Sequence, residues 1–253
     1  MKIVVVIKLV PDLVEELNIN PDGLSLDTAW MRMIINEFDD HALEQSILLK
    51  ERNNAEVIAL APGYDGVDEV LFTAIAKGAD RGIRLSGDIP NANNHALAHG
   101  LAPVINALQP DLVLTGVQAN NDLDGAIGPG LAACLKMPFI GYVSSVSLEE
   151  KSIQVRKEFP GGVVSKMSVT TPAVLGIQAS EQPPRYVAVS KVRQVMKTAT
   201  IEEQPISMAG NTGGFEVVKY SQPETSTHAK MITGDVDQVA DQLMGIFKEL
   251  GVL

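Results

Sequence analysis

The sequence predicts an α/β fold: a mainly parallel, Rossmann-like sheet flanked by helices, with an antiparallel extension and a C-terminal arm that ends in a helix. Three observations predict it. Continuous apolar, β-branched runs alternate with amphipathic stretches through the first half of the chain. Short strand-like runs joined by tight turns follow. A Pro-, Gly-, Ser- and Thr-rich stretch then leads to one last amphipathic helix.

Taken in order, Ile3 to Ile7 reads as a strand buried on both faces. Asn20-Pro21-Asp22-Gly23 is a turn. Phe38 to Lys50 sets Phe38, Ala42, Ile47 and Leu49 among polar residues at helical spacing, with Asn36 placed to cap it. Glu56 to Ala61 is a second apolar run, stopped by Pro62-Gly63. A helix over Val67 to Lys77, a strand over Gly82 to Leu85, a helix over Ala96 to Leu108 with Pro103 inside it, and a strand over Asp111 to Thr115 come next. In open α/β sheets, ligands bind beyond the carboxyl ends of the strands. The residues just after Ile7, Ala61 and Thr115 are therefore where a site is expected.

Past residue 140 the pattern changes. Val143 to Leu148, Ile153 to Phe159, Val163 to Val169 and Ala173 to Gln178 read as strands of an antiparallel extension. From Glu181 to about Gly234 there is little sustained periodicity. The final helix, begun by Asp235, lines up Val236, Val239, Ala240, Leu243, Phe247 and Leu250 on one stripe. The reading divides the chain into an α/β nucleotide-binding domain, 1–180, and an arm with its helix, 181–253, laid over a partner subunit.

Composition excludes several functions. The 20 Lys and Arg against 31 Asp and Glu give a net charge of −11, unsuited to neutralising nucleic-acid phosphates or anionic membranes. One cysteine, Cys134, rules out an internal disulfide framework. No apolar run reaches membrane-spanning length, and Met1 to Leu9 is too short for a signal peptide, so a cytoplasmic protein without membrane insertion is expected.

The most informative loop runs from Gly116 to Gly130, between a buried strand and the helix Leu131 to Lys136. Its glycines permit close backbone approach, and helix-start amides attract anions. It has neither a Walker Lys nor G-x-G-x-x-G spacing, and Asp122 and Asp124 oppose a phosphate unless they cap amides. An ordinary strand-to-helix turn is the simpler reading of its composition. His95 and His99, four apart, lack further ligands to complete a metal site. Asp39-Asp40-His41 at a helix start fits dipole compensation better than acid–base chemistry. No nucleophile has an evident base, so the sequence points to no catalytic residue.

Lys8-Leu9-Val10-Pro11-Asp12 follows the first strand and Asn36-Glu37-Phe38-Asp39 leads into the first helix; these two motifs, with those that follow, resemble the opening turn and helix entry of the β subunit of electron-transfer flavoproteins. Ala76-Lys77-Gly78-Ala79-Asp80-Arg81 is similar to its Ala-x-Gly-Ala-Asp-Arg segment. Val155-Arg156-Lys157-Glu158-Phe159-Pro160-Gly161-Gly162, then Thr171-Pro172-Ala173-Val174, then Pro184-Arg185-Tyr186 resemble its most specific signature.

The resemblance implies an electron carrier rather than an enzyme: one half of a heterodimer with an α subunit that holds most of an FAD. Electrons would pass from a flavin dehydrogenase to a quinone-reducing or other acceptor. It also implies AMP, or in the electron-bifurcating branch a second FAD reduced by NADH, in the β subunit. Carried over by position, that nucleotide would meet Val6, Asn36, Phe38, Asp39, Pro62, Gly116, Asn121, Asp122, Asp124, Gly125, Ala126, Ile127, Gly128 and Leu131. Glu158 would lie near the α-subunit flavin, and Val189 would anchor the partner dehydrogenase. The sequence departs from the family where Asp124, Gly125, Ala126 and Ile127 replace the Thr or Ser and Gln of the phosphate loop. The rival reading is an adenine-nucleotide-binding module with a structural or regulatory, non-redox role.

Overall fold

A computed structural model describes residues 1–87, 89, 92–122, 124–149, 152–207, 213–223, 229 and 231–252. The described chain separates into two units, Met1–Val218 and Lys219–Leu253.

The first unit carries a nine-stranded sheet. Its strands in chain order are β1 (Lys2–Val6), β4 (Glu56–Pro62), β5 (Arg81–Ser86), β6 (Leu112–Gly116), β7 (Phe139–Glu149), β8 (Ser152–Phe159), β9 (Val163–Val169), β10 (Ala173–Ile177) and β11 (Glu202–Pro205). Two short strands, β2 (Leu9–Pro11) and β3 (Met33–Ile35), pair separately as an antiparallel ribbon. The helices are α1 (Glu37–Asn53), α2 (Val67–Lys77), α3 (Asn94–Leu108), α4 (Ile127–Leu135) and α5 (Val189–Thr198). The second unit contributes α6 (Val236–Glu249).

Across the sheet the order is β11-β5-β4-β1-β6-β10-β7-β8-β9. The strands from β11 to β7 run parallel, and β8 and β9 continue from β7 in antiparallel register. From β1 the chain builds outward through β4 and β5, then crosses to β6 on the other side. The strand order reverses at β1, and a crevice opens there at the carboxyl ends.

Strand side chains alternate between two apolar layers. Ile3, Val5, Val57, Ala59, Leu112 and Leu114 face α1 and α2 through Leu43, Ile47, Leu71 and Ala74. Val4, Ile58, Leu60 and Val113 face α3 and α4 through Leu97, Leu101, Ile105 and Leu131. Burial on both faces explains why these strands read as unbroken apolar runs.

Two expectations need correction. Ala173 to Ile177 is not part of the antiparallel extension: β10 inserts in parallel between β6 and β7. Its five residues are all buried, as an interior position requires. The stretch after Glu181 is also more ordered than its composition indicates, since α5 and β11 lie within it. β11 has no apolar alternation to detect. It is zipped to β5 by charge, Arg81 Nε donating to Glu202 at 2.7 Å and Arg84 Nη2 to Glu203 at 2.7 Å.

α6 starts with a complete capping box between Asp235 and Gln238, and none of its residues is buried. Leu243, Ile246 and Phe247 are each more than a third exposed. Among the described residues, no helix is long and apolar enough to cross a membrane.

Candidate functional site

The crevice is built by the ends of three strands. Val6 closes β1, Pro62 closes β4 and Gly116 closes β6, and all three line one cavity with Lys8, Asn36, Asp39, Asp122 and Ile127. Asp39, on the first turn of α1, pins two of those ends. Its Oδ2 accepts the N–H of Lys8 at 2.9 Å and its Oδ1 that of Gly116 at 2.7 Å. Burial raises its carboxyl to about 6, while the Gly116 and Lys8 N–H groups, Asn36 and the Lys8 charge pull the other way. Gly116 has to be glycine: a Cβ there would sit 2.5 Å from Asp39 Oδ1 and 2.7 Å from Phe38 Cβ. The Asp39-Asp40-His41 run is thus structural. Asp40 pairs with Lys77 at 2.5 Å, and His41 Nδ1 meets Ser180 Oγ at 2.8 Å.

Asn36 stands at the N-cap position of α1, yet its side chain does not cap. Its amide donates instead to the Gln118 carbonyl at 2.9 Å and ties α1 to the loop after β6. That loop is held by its own carboxylates. Asp122 Oδ1 accepts the N–H groups of Ala119 and Gly125, each at 3.3 Å, and Oδ2 lies 3.2 Å from Lys8 Nζ. Asp124 Oδ1 accepts the Ala126 N–H at 3.1 Å and the Asn94 side-chain amide. Gly128 is buried against Thr115 and Phe139, and Leu131 belongs to the apolar layer. Asn121 is exposed, and Leu123 in the same loop lies outside the described residues.

Seven positions expected at a nucleotide therefore line one cavity: Val6, Asn36, Asp39, Pro62, Gly116, Asp122 and Ile127. Phe38, Asp124, Gly125, Ala126 and Gly128 buttress it, whereas Asn121 and Leu131 do not line it. Sequence reasoning reached Lys8 only as the residue after Ile7, without assigning it a role, and passed over Asn94 and Thr115. A lysine directly following a buried strand was the available signal for Lys8. Asn94 and Thr115 had none, because only the fold brings them beside the loop.

The cavity does not fit a nucleotide phosphate as the chain is folded. Its volume is about 20 Å³, room for about one water. The N–H groups of Ala119, Gly125 and Ala126 are engaged by carboxylates, and Lys8 is paired. The buried Thr115 hydroxyl is left without a partner in the chain.

Glu158 is elsewhere. With Tyr142, Lys157, Phe159, Pro160 and Gln178 it borders a shallow hollow of about 560 Å³. Tyr142 adopts a left-handed conformation, φ 59°, where the register of β7 shifts against β8 and β10. A bulge of this kind re-aims a side chain. Lys157 Nζ lies 5.6 Å from the Tyr142 ring centre and 5.3 Å from that of Phe159, within cation–π range of both. Tyr142 and Phe159 are 54% and 44% exposed. Two aromatic faces and a cation are thus presented together, one face on each side of Lys157.

Val189, 61% exposed, begins α5, which packs on α2. The His95 and His99 rings lie 4.6 Å apart, tilted by 55°, and no group of three or more metal-ligating residues occurs among the described residues.

Residues 24–208 match the family described as Electron transfer flavoprotein domain. The chain is similar to "Electron transfer flavoprotein subunit beta" of Methylophilus methylotrophus, at 32% identity over 98% of each chain. A mitochondrial protein of that description from Oryza sativa subsp. japonica is 31% identical over 96% of this chain and 97% of its own. One from Clostridium acetobutylicum is 30% identical over 98% of each.

Proposed function

Because the chain belongs to the electron transfer flavoprotein family, with the β subunits as its relatives, we propose that it is the β half of a heterodimeric electron carrier. It pairs with an α subunit that holds most of an FAD, and passes electrons from a flavin dehydrogenase to a quinone-reducing or other acceptor. The FAD, when bound, supplies the redox chemistry. This chain supplies a wall of the flavin's environment. It works as a cytoplasmic protein with no catalytic residue of its own.

The observation that carries the reading is the Tyr142–Lys157–Glu158–Phe159 hollow. It is a shallow, open surface on which two half-exposed aromatic rings flank a lysine. Lys157, held between two rings, places a cation where electron density gained by a neighbouring flavin would be stabilised. The ring faces exclude water from the contact.

The exposed stripe of α6 supports packing of the 181–253 arm on the α subunit, and Val189 at the start of α5 supports docking of the dehydrogenase. For the strand-end cavity the alternatives are AMP, a second FAD or no nucleotide. Its volume and charge favour none, and so weigh against both bifurcation from NADH and a purely nucleotide-binding module. Co-expression with the α subunit tests the reading. The two chains should co-purify with one FAD per pair, and Phe159→Asp should lower the FAD retained. Separate elution of the two wild-type chains, each without flavin, would refute it.

A further inference from the structure

We propose that the crevice at the carboxyl ends of β1, β4 and β6 is sealed by the chain's own carboxylates, with Asp122 standing as the internal anion for Lys8, so that this subunit holds no phosphorylated nucleotide there. A phosphate at a strand-to-helix loop requires backbone N–H groups and, commonly, a cation. Both are engaged here. The N–H groups of Ala119, Gly125 and Ala126 go to Asp122 and Asp124, and Lys8 Nζ lies 3.2 Å from Asp122. The Lys8 and Asp122 side chains are 13% and 9% exposed, so the ion pair is withdrawn from solvent.

The sequence of the loop offers no replacement. From Asp122 to Gly130 there is no Ser, Thr, Asn, Gln, Lys or Arg. Pro129, third residue of α4, takes one N–H away from the helix start, where an anion would look for it. Asn94 donates to Asp124 and thereby latches the start of α3 to the loop. An incoming phosphate would have to displace a carboxylate from the Ala119, Gly125 and Ala126 N–H groups and from Lys8, and would then face two like charges. The unpartnered Thr115 hydroxyl fits this state, because the remaining volume suits a single water beside it.

The test reads the crevice separately from the subunit assignment. The full chain, co-purified with its α subunit, is denatured and its released FAD and AMP are quantified. The full chain by itself is titrated with AMP by calorimetry. Wild type should release FAD but well under one equivalent of AMP, and should give no binding heat. The double variant Asp122→Ala, Asp124→Ala removes both carboxylates from the loop N–H groups and from Lys8 and widens the crevice, and should gain AMP affinity by about tenfold or more. If it fails to fold by far-UV circular dichroism, the single variant Asp122→Ala, which removes the anion facing Lys8, should read a gain in the same direction. One equivalent of AMP in the wild-type complex would overturn the proposal. So would a folded variant with no more affinity for AMP than the wild type. Absence of a complex, or of FAD, would instead count against the proposed function and leave the AMP titration readable.

Discussion

Replacing Asp39 by Asn removes the ionisation at the junction of β1, β6 and α1, and its effect should depend on pH with a definite sign. Asp39 is 5% exposed, and burial lifts its carboxyl from the ordinary 3.8 to about 6. The folded chain therefore holds this proton more tightly than the unfolded chain. The resulting stability is fully present below pH 3.8 and is lost as pH rises through about 6. At about 1.4 kcal/mol per pH unit, that interval amounts to about 3 kcal/mol. Asparagine does not titrate. It also turns an NH₂ toward one of the two backbone N–H groups, an offset of about 1–3 kcal/mol that does not vary with pH. The advantage of wild type over Asp39→Asn should thus shrink by about 3 kcal/mol between acid and neutral pH. Urea unfolding followed by far-UV circular dichroism measures it. Fluorescence is a poor probe, because the single tryptophan, Trp30, is 95% exposed. Glu51, Glu202 and Glu203, whose carboxyls are held below the usual range by Arg185, Arg81 and Arg84, contribute equally to both proteins and cancel. Parallel stability–pH curves for the two proteins would refute the reasoning.

Other perturbations have equally definite outcomes. Arg185→Ala strips the partner from Glu44, whose side chain is 2% exposed, and should cost about 3 kcal/mol, most of it recovered in the double variant with Glu44→Gln; a double-mutant cycle in urea measures this. Gly116→Ala drives a methyl into Asp39 Oδ1 and should destabilise by about 1–3 kcal/mol with a lowered thermal midpoint. Leu243→Glu with Phe247→Glu alters exposed positions on α6. It should change stability by less than about 0.5 kcal/mol while weakening association with the α subunit in a pull-down.

Much of the parallel sheet was legible because its strands are buried on both faces and written as unbroken β-branched runs. Ile3 to Ile7 and Glu56 to Ala61 fall on β1 and β4, and the boundaries of α2 were read to the residue. The position of β10 was not legible. Ala173 to Ile177 is as apolar as a central strand, but adjacency in sequence to β9 suggested pairing with it. Strand order is decided by crossover connections that no local pattern encodes. β11 escaped notice for the opposite reason, since Glu202 to Pro205 has no apolar face and is held by two arginines from β5.

The candidate site divides in the same way. Val6, Pro62 and Gly116 follow from the rule that ligands gather at strand ends. Asp39 was read as compensating a helix dipole, and its larger role, accepting one backbone N–H just beyond β1 and another at the end of β6, exists only in three dimensions. The partners of Asp122 and Asp124 likewise lie 114 and 30 residues away, on Lys8 and Asn94. Their chemistry was visible in the sequence and their pairing was not.

The most direct test of the electron-carrier assignment follows the flavin of the purified heterodimer by absorbance through one cycle of reduction and reoxidation. The account predicts one FAD per pair, bleached by a reduced flavin dehydrogenase, restored by an acceptor, and altered in midpoint potential by Lys157→Ala. A flavin that neither donor nor acceptor changes, in a complex otherwise intact, would contradict it.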